Sequence, residues 1–355
     1  MYDNGAFIIL YKHVLFLFLS CLILSACSIE SSALSKKRMT FSSGQLDLFG
    51  TLITPTTGSG PYPVVILVHG DGPMPFDAFG YYRPIWKAFA QRGIATFSWD
   101  KPGIGGSTGD WLQQSMDDRT ENVKNAIEYL KTLDKTVDAN NIGVMGFSQA
   151  GWVLPKIARQ QSDVDFAVFT GTAINWERQG QYYRSVSNND NTDALYYQKL
   201  EDSFLTQSLK NGLSFDEYVK AFKGIASTEA SFDEQLLNDK ARYGFIAKNW
   251  HADAEADLAK IDIPVLAVFG QDDLNVDIAD SISVYKKVFA GRSANLLTIK
   301  EFEGATHGLM HSWLWNTQHP NFLHVMMIDV FGENMFADNA LDEITSWIKQ
   351  QSKDE

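Results

Sequence analysis

The chain of 355 residues is long enough for one large domain with an insertion, or for two ordinary domains. Hydrophobic residues make up 45% of it and aromatic residues 13%, which predicts a sizeable core and excludes a largely disordered chain. Its 30 basic and 43 acidic residues give a formal net charge of −13, which argues against binding to nucleic acid or to anionic membrane surfaces.

Residues 1–26 have the pattern of an export signal. The apolar run from Val14 to Leu24 is too short to span a bilayer comfortably and suits the hydrophobic region of a signal peptide. The sequence Leu24-Ser-Ala-Cys27 resembles the lipobox of bacterial lipoproteins. The resemblance implies cleavage before Cys27 and lipidation of its thiol. The alternative is an ordinary secretory signal, with Cys27 as a bystander.

The residue after the cysteine is Ser28, and in the resembled lipoproteins a residue other than Asp there goes with sorting to the outer membrane. The predicted location is therefore the bacterial cell envelope, with the lipid anchor as the membrane contact. Residues 27–37 are predicted to be a flexible tether. Cys21 and Cys27 are the two cysteines of the chain, so no disulfide or cysteine metal site is expected in its body.

Two strands joined by a turn are predicted next, at residues 38–41 and 46–53. Apolar runs of strand length then alternate with segments of helical periodicity. The predicted strands are 63–68, 94–99, 142–147, 166–170, 264–269 and 296–300, and the predicted helices are 82–91, 117–133, 280–289 and one through residues 341–348. This alternation predicts an α/β fold with a doubly wound, mostly parallel sheet.

Residues 175–255 interrupt the alternation, because they hold helical patterns and no convincing buried strand. Two pairs, Ser214 with Glu217 and Ser231 with Glu234, have the spacing of capping boxes that open helices. The predicted organisation is a core of residues 38–174 and 256–355 with a helical cap, 175–255, over the carboxyl edge of the sheet.

The sequence Gly146-Phe-Ser148-Gln-Ala150-Gly lies where a predicted strand passes into a helix. Small residues two positions before and after a serine allow a sharp turn that lifts the hydroxyl above the sheet, with the start of a helix behind it. Ser148 is therefore the candidate nucleophile. The alternative is a glycine-rich turn that carries a solvated serine.

Two segments, Gly146–Pro155 and Asp100–Gly109 (DKPGIGGSTG), resemble a branch of the α/β-hydrolase superfamily that contains bacterial esterases, acyl-transfer enzymes and serine peptidase relatives. The resemblance covers roughly residues 40–350. It implies the α/β-hydrolase fold and a catalytic triad in the chain order Ser, Asp, His. Ala150 departs from the glycine of many members, but it is small enough for the same turn.

The resemblance puts the catalytic base on the loop after the last core strand, where His307 lies in Gly-Ala-Thr-His-Gly. His311, His319 and His324 are the rival histidines. His307 and His311 have a spacing that could suit a metal, but no glutamate neighbours His307 and no third ligand fits a pattern. We therefore expect neither a metal nor another cofactor.

The triad acid follows the strand 264–269. In the resembled family the motif is Gly-x-x-Asp-x-x-Val, which here selects Asp273 between Gly270 and Val276. Asp272 is the alternative, since a shift of one residue decides between them. For either residue the remaining possibility is an aspartate that caps a turn.

Two backbone N–H groups are expected to form an oxyanion hole. One belongs to Gln149, the residue after the nucleophile. The other belongs to Asp71 in His69-Gly70-Asp71, which resembles the His-Gly-x motif of the family. Because a carboxylate would repel an oxyanion, the side chain of Asp71 should point away from it. His69 is expected to have a structural role.

The sequence thus predicts a serine hydrolase that cleaves a small-molecule carboxylic ester through an acyl-enzyme. A serine peptidase or amidase on the same scaffold is the alternative, and a non-catalytic binding protein is a third hypothesis. A peptidase would use acidic cap residues to bind an amine, and the candidates are Glu201, Asp202, Glu217, Asp233 and Glu234. Aromatic residues of the cap and the late loop suggest an apolar acyl or aryl pocket, and the alternative for most of them is ordinary core packing. They are Trp176, Tyr182, Tyr183, Phe204, Trp250, Trp313 and Trp315.

Overall fold

The computed structural model describes residues 34–159, 164–187, 203–226 and 238–351. The predicted signal peptide, Cys27 and the tether as far as residue 33 lie outside these residues. So does the predicted capping box of Ser231 and Glu234. These features therefore stay predictions.

An eight-stranded sheet forms the centre of the described part of the chain. Its strands are β1 (Leu34–Ser43), β2 (Leu46–Pro55), β3 (Tyr62–Val68), β4 (Ala95–Trp99), β5 (Val137–Phe147), β6 (Phe166–Thr170), β7 (Val265–Gly270) and β8 (Leu297–Phe302). β2 pairs antiparallel with β1 and with β4, and all other neighbouring strands pair parallel. The predicted mostly parallel sheet is confirmed.

The strands follow one another across the sheet in the order β1-β2-β4-β3-β5-β6-β7-β8. The order reverses at β3, because the chain crosses from β3 to β4 on one side and from β4 to β5 on the other. Such a reversal leaves a crevice beyond the carboxyl ends of the strands, and ligands of open α/β sheets bind there. The crevice lies between the residues that follow β3 and those that follow β5.

Helices cover both faces of the sheet. The α-helices of the described residues are α1 (Tyr82–Ala90), α2 (Met116–Lys131), α3 (Leu154–Ala158), α4 (Trp176–Ser187), α5 (203–210), α6 (Phe215–Ala226), α7 (Lys240–Asn249), α8 (Glu255–Leu258), α9 (Ile278–Val288), α10 (Ser312–Trp315), α11 (Phe322–Phe331) and α12 (Ala340–Gln351). One core lies between the sheet and α2, α3 and α9, and the other between the sheet and α1 and α12. Since both faces are covered, the central strand β3 is apolar and buried along Val64–Val68.

Helices α4 to α8 lie between β6 and β7 in the chain, and α4 to α7, the cap helices, fall within the segment 175–255 for which a cap is predicted. The predicted capping box at the start of α6 is present: the N–H of Ser214 donates to Oε2 of Glu217 at 2.9 Å, and the N–H of Glu217 donates to Oγ of Ser214 at 3.4 Å. α6 packs on α7 through the stacked rings of Tyr218 and Tyr243, 4.9 Å apart. Asn249 at the end of α7 is buried and accepts the N–H of Met116, which joins the cap to α2.

The prediction of a tether through residue 37 was wrong for its last four residues. β1 begins at Leu34, and Leu34–Lys37 pair antiparallel with Leu52–Pro55. The side chains of Ser35, Lys36 and Lys37 are exposed, so no apolar alternation marked them as a strand. The backbone ladder with β2 orders them instead. Lysines on an edge strand also discourage pairing with another chain.

Within the described residues, no helix combines the length and the apolar character that crossing a bilayer requires.

Candidate active site

Ser148 lies directly after β5, as the first residue of a short 3-10 turn, Ser148–Trp152. Its backbone φ is +52°, a left-handed conformation that costs an ordinary L-residue about 1–2 kcal/mol. Such strain persists only where the surroundings over-determine it, and it is concentrated at functional sites. A Cβ on Gly146 would lie 2.8 Å from Cβ of Ala150, so the two small residues are required where the turn closes on itself.

Asp273 and His307 lie on the loops that follow the adjacent parallel strands β7 and β8. Nδ1 of His307 is 2.7 Å from Oδ2 of Asp273. The other oxygen, Oδ1, accepts the N–H groups of Asn275 at 2.7 Å and Val276 at 2.9 Å. The Asp273 side chain is fully buried, whereas His307 is 21% exposed. The two backbone N–H groups therefore fix the carboxylate, and the imidazole is partly exposed in the crevice.

Asp272 has a different role. Its backbone N–H donates to the carbonyl oxygen of Ala305 at 2.9 Å, and this bond joins the two loops. The side chain that contacts His307 belongs to Asp273. Of the two aspartates left open by the sequence, the geometry favours Asp273 as the partner of the imidazole.

The loop of His307 packs against Gly171, which follows β6. Gly171 has a φ of +54°, and a Cβ there would lie 2.8 Å from the carbonyl oxygen of His307 and 3.0 Å from its Nδ1. Gly270, at the end of β7, also lies close to this loop. A Cβ added to Gly270 would lie 2.2 Å from the carbonyl oxygen of Thr306. The absence of side chains at both positions lets the histidine loop lie directly on the sheet edge.

Ser148 and His307 line one cavity of about 450 Å³ above the carboxyl ends of the strands. No hydrogen bond joins the Ser148 hydroxyl to the imidazole in the described structure; bonds of this kind often tighten only when substrate is bound. Apolar side chains form much of the cavity wall, among them Met74, Phe79, Phe147, Met310, Trp315 and Ile328. The cavity suits an apolar group next to a polar reaction centre.

The turn after β3 lies against the serine. A Cβ on Gly70 would lie 3.1 Å from Cβ of Ser148. Among the described residues, no backbone carbonyl accepts the N–H of Asp71. This N–H and that of Gln149, the residue after Ser148, are the two predicted oxyanion donors, and they follow β3 and β5 at the crevice where the strand order reverses.

The Asp71 carboxylate has its own partners. Nη1 and Nη2 of Arg242, on cap helix α7, donate to Oδ1 at 3.1 Å and Oδ2 at 2.5 Å. Nε2 of Gln149 donates to Oδ1 at 3.0 Å. Burial alone would raise the pKa of Asp71, but the hydrogen bonds and charge of Arg242, together with the charge of Lys101, lower that pKa to about 2. The carboxylate is therefore ionised at neutral pH.

His69 is held as a structural residue. Its Nε2 is 2.7 Å from the carbonyl oxygen of Trp99, its Nδ1 is 3.0 Å from Oη of Tyr82, and its ring stacks on that tyrosine at 5.2 Å. Burial, reinforced by the nearby charge of Lys101, lowers the pKa of His69 to about 3. The imidazole is neutral at physiological pH and shapes the turn after β3.

Sequence reasoning missed three basic residues around this turn. Nζ of the buried Lys101 donates to the carbonyl oxygen of Gly70 at 2.6 Å. The buried Arg119 donates to Oε1 of Gln149 and to the carbonyl oxygen of His69. Lys101 stands inside the segment DKPGIGGSTG, so a signal for it existed. Arg119 and Arg242 lie on helices outside the motifs, where no local pattern marks them.

Of the aromatic residues named from the sequence, Trp315 lines the cavity, and others have the core packing that was the alternative. Trp176 packs on Trp152 at 4.8 Å, and Phe204 packs on Tyr218 inside the cap at 5.5 Å. The remaining aromatics named from the sequence are also absent from the cavity wall. That wall comes mainly from residues 74–82 and 310–328, where apolar residues of several kinds are mixed with polar ones.

Of the rival histidines, His324 lines the cavity, whereas His311 and His319 do not. Among the proposed amine-binding acids, Glu217 is exposed and its carboxylate closes the capping box of α6. The other four, Glu201, Asp202, Asp233 and Glu234, lie outside the described residues. No group of three or more potential metal ligands occurs in the part of the chain that the structure covers.

Replacing Gly171 with alanine tests the packing of the histidine loop. We expect Gly171→Ala to lose about 1–2 kcal/mol of stability from backbone strain. It should also slow the labelling of Ser148 by a fluorophosphonate at least tenfold, because its Cβ would displace His307. Gly44→Ala is the matched control, since Gly44 has a φ of +60° and open space around its Cβ. Equal labelling rates for the two variants would contradict the assignment.

The chain is similar to known proteins in its sequence and in its fold. Residues 60–312 match the family described as Hydrolase_4, serine aminopeptidase, S33. The chain is 25% identical over 249 residues to esterase EstD of Thermotoga maritima, an alignment that covers 68% of this chain and 53% of that protein. The chain thus spans about half the length of this relative.

Solved structures of low sequence identity share the fold. The Pyrococcus furiosus esterase Pf2001 matches with a TM-score of 0.55 at 17% identity, over 90% of this chain and 92% of its own. Est1E of Butyrivibrio proteoclasticus, solved with ferulic acid, matches with a TM-score of 0.51 at 17% identity, over 88% and 96% of the two chains. The Pyrococcus horikoshii acylaminoacyl peptidase matches with a TM-score of 0.53 at 15% identity, over 91% and 43%. The chain therefore has the α/β-hydrolase fold and belongs to the Hydrolase_4, serine aminopeptidase family.

Proposed function

We propose that the protein is a serine hydrolase that cleaves carboxylic esters through an acyl-enzyme. One observation carries the proposal: the strained Ser148 shares a cavity with His307, whose Nδ1 is bonded to the buried carboxylate of Asp273. A nucleophile, a base and a group that orients the base are the three parts that acyl transfer needs.

In the proposed first half-reaction, Nε2 of His307 removes the proton of the Ser148 hydroxyl as the serine oxygen attacks the ester carbonyl. Asp273 accepts the bond from Nδ1–H, so it fixes the tautomer of the imidazole and stabilises its cation. When the tetrahedral intermediate collapses, the imidazolium gives its proton to the leaving alcohol. The acyl group then remains on the serine.

In the second half-reaction a water molecule replaces the alcohol. His307 takes a proton from this water, the water oxygen attacks the acyl carbonyl, and the proton returns to Ser148 as the acid leaves. In both halves the N–H groups of Asp71 and Gln149 would bind the carbonyl oxygen as it becomes negative. One such donor typically contributes about 10²–10³ in turnover.

An ester is preferred to an amide because of what surrounds the reaction centre. The apolar cavity wall suits an acyl or aryl group, and the one described acid of the candidate amine site, Glu217, is occupied at a helix start. EstD and Pf2001 are named esterases, which agrees with this choice. The family description and the acylaminoacyl peptidase keep a peptidase as the second candidate.

Labelling with a fluorophosphonate, followed by turnover of p-nitrophenyl esters and of aminoacyl anilides, tests the proposal. We expect the wild type to be labelled once and to hydrolyse the esters at least tenfold faster than the anilides. Ser148→Ala should lose both the label and the turnover. Turnover of anilides alone would replace the esterase with a peptidase, and an unlabelled, inactive wild type would favour a binding protein.

The two neighbouring aspartates offer a matched pair of variants. We expect Asp273→Asn to lower kcat roughly 10³–10⁴-fold, because an amide in place of the carboxylate favours the wrong imidazole tautomer. Asp272→Asn should stay within about threefold of the wild type, since the contact of Asp272 with Ala305 uses its backbone. Steady-state kinetics of the two variants decides between them. A larger loss for Asp272→Asn would reverse the assignment.

We further propose that Cys27 carries a lipid that anchors the protein in the cell envelope, on the strength of the lipobox-like sequence. Labelled palmitate should enter the wild-type protein and leave it in the membrane fraction. Cys27→Ala should lose the label, whereas Cys21→Ala, which changes the cysteine inside the apolar run, should keep it. Equal labelling of both variants would contradict the anchor.

A further inference from the structure

A residue of the cap reaches the predicted oxyanion hole. Arg242 lies on α7, and its guanidinium forms a bidentate ion pair with the Asp71 carboxylate. The guanidinium is itself positioned by aromatic rings, because its Cζ lies 5.1 Å from the ring centre of Phe245 and 5.8 Å from that of Trp111. A bidentate pair fixes the orientation of the carboxylate and also compensates its charge.

The same carboxylate joins the two residues proposed as backbone donors. Asp71 supplies one N–H, and its Oδ1 accepts a hydrogen bond from the side chain of Gln149, which supplies the other. Oε1 of Gln149 accepts a hydrogen bond from Arg119 in turn. The side chains of both donor residues therefore form one chain of polar contacts that runs from α2 to the cap.

This chain addresses an electrostatic difficulty. A carboxylate on an oxyanion-donor residue would repel the negative charge that develops on the substrate, and the repulsion grows as the two charges approach each other. In the structure the carboxylate is turned to the cap and neutralised by a guanidinium. Its charge is thereby separated from the position that the N–H groups of Asp71 and Gln149 surround.

We propose that Arg242 is a positioning residue for oxyanion stabilisation, which turns the Asp71 carboxylate away from the reacting oxygen and compensates its charge. The inference rests on the proposed acyl transfer at Ser148. It assigns the cap helix α7 a part in the chemical step. Substrate binding to the apolar wall does not depend on this ion pair, so its loss should affect kcat much more than KM.

Three variants test the role: Arg242→Gln, Asp71→Asn and the double variant. Arg242→Gln leaves the carboxylate without its cationic partner, and we expect kcat to fall about 10–100-fold with KM changed less than about threefold. Asp71→Asn removes the charge and keeps an oxygen for the Gln149 bond, so it should lose less. The double variant should return to the level of Asp71→Asn and be more active than Arg242→Gln, since no unpaired charge remains.

Lys240→Gln is the matched control. Lys240 lies on the same helix, but its exposed side chain makes an ion pair with Asp216 of α6, at 3.7 Å, and none with Asp71. We expect its kcat and KM to equal those of the wild type. The fluorophosphonate labelling rate is measured for every variant as well, because in the proposed mechanism the same N–H groups stabilise the negative oxygen that forms when Ser148 is phosphonylated.

An unchanged kcat in Arg242→Gln would overturn the inference. So would a double variant no more active than Arg242→Gln, because a merely structural arginine cannot be rescued by neutralising Asp71. These results leave the proposed function intact if the wild type is active. A wild type that neither takes the label nor turns over either substrate would overturn the proposed function and this inference together.

Discussion

The parallel register of β5 to β8 is the constraint on which the candidate site depends. These four neighbouring strands end at the same edge of the sheet, and the residues that follow them are, in spatial order, Ser148, Gly171, Asp273 and His307. The 2.7 Å contact between the last two exists because β7 and β8 are adjacent. Ser148 and His307, more than 150 positions apart in the sequence, thus line the same cavity.

The edge would not hold these groups without close backbone packing. Gly171 and Gly270 leave room for the histidine loop, and Gly146 lets the turn of Ser148 close on Ala150. The strained φ of Ser148 is maintained by this packing. Strain and close approach at the same edge are features that a fold keeps where it needs a rigid arrangement, as catalysis of acyl transfer does.

Charge is distributed unevenly over the molecule. The chain as a whole carries a formal charge of −13, yet the turn after β3 is surrounded by Lys101, Arg119 and Arg242. In the proposed mechanism, their arrangement around one carboxylate explains how an aspartate can occupy a position beside a developing oxyanion. The cap contributes to this balance through Arg242, so in the proposed mechanism the core and the cap act on the same turn.

The parts of the site that could be predicted are those encoded locally. Buried parallel strands read as apolar runs, and Ser148 stands in a short motif whose small residues have a steric reason. The strand at Leu34–Lys37 was not predicted, because most of its side chains are exposed and only its backbone pairing with β2 orders it. The network of Arg119 and Arg242 could not be predicted because its members come from separate helices. The aromatic residues of the cap could not be divided between pocket and core from the sequence, and in the structure Trp176 packs on Trp152 and Phe204 on Tyr218.

A crystal structure of the phosphonylated protein would measure whether the Ser148 hydroxyl lies within proton-transfer reach of His307. We expect a phosphonyl group on Oγ of Ser148, with one of its oxygens within about 3.1 Å of the N–H groups of Asp71 and Gln149. Nε2 of His307 should lie within about 3.2 Å of the serine oxygen. An adduct on another residue, or an imidazole turned away from Ser148 with the Asp273 bond intact, would contradict it.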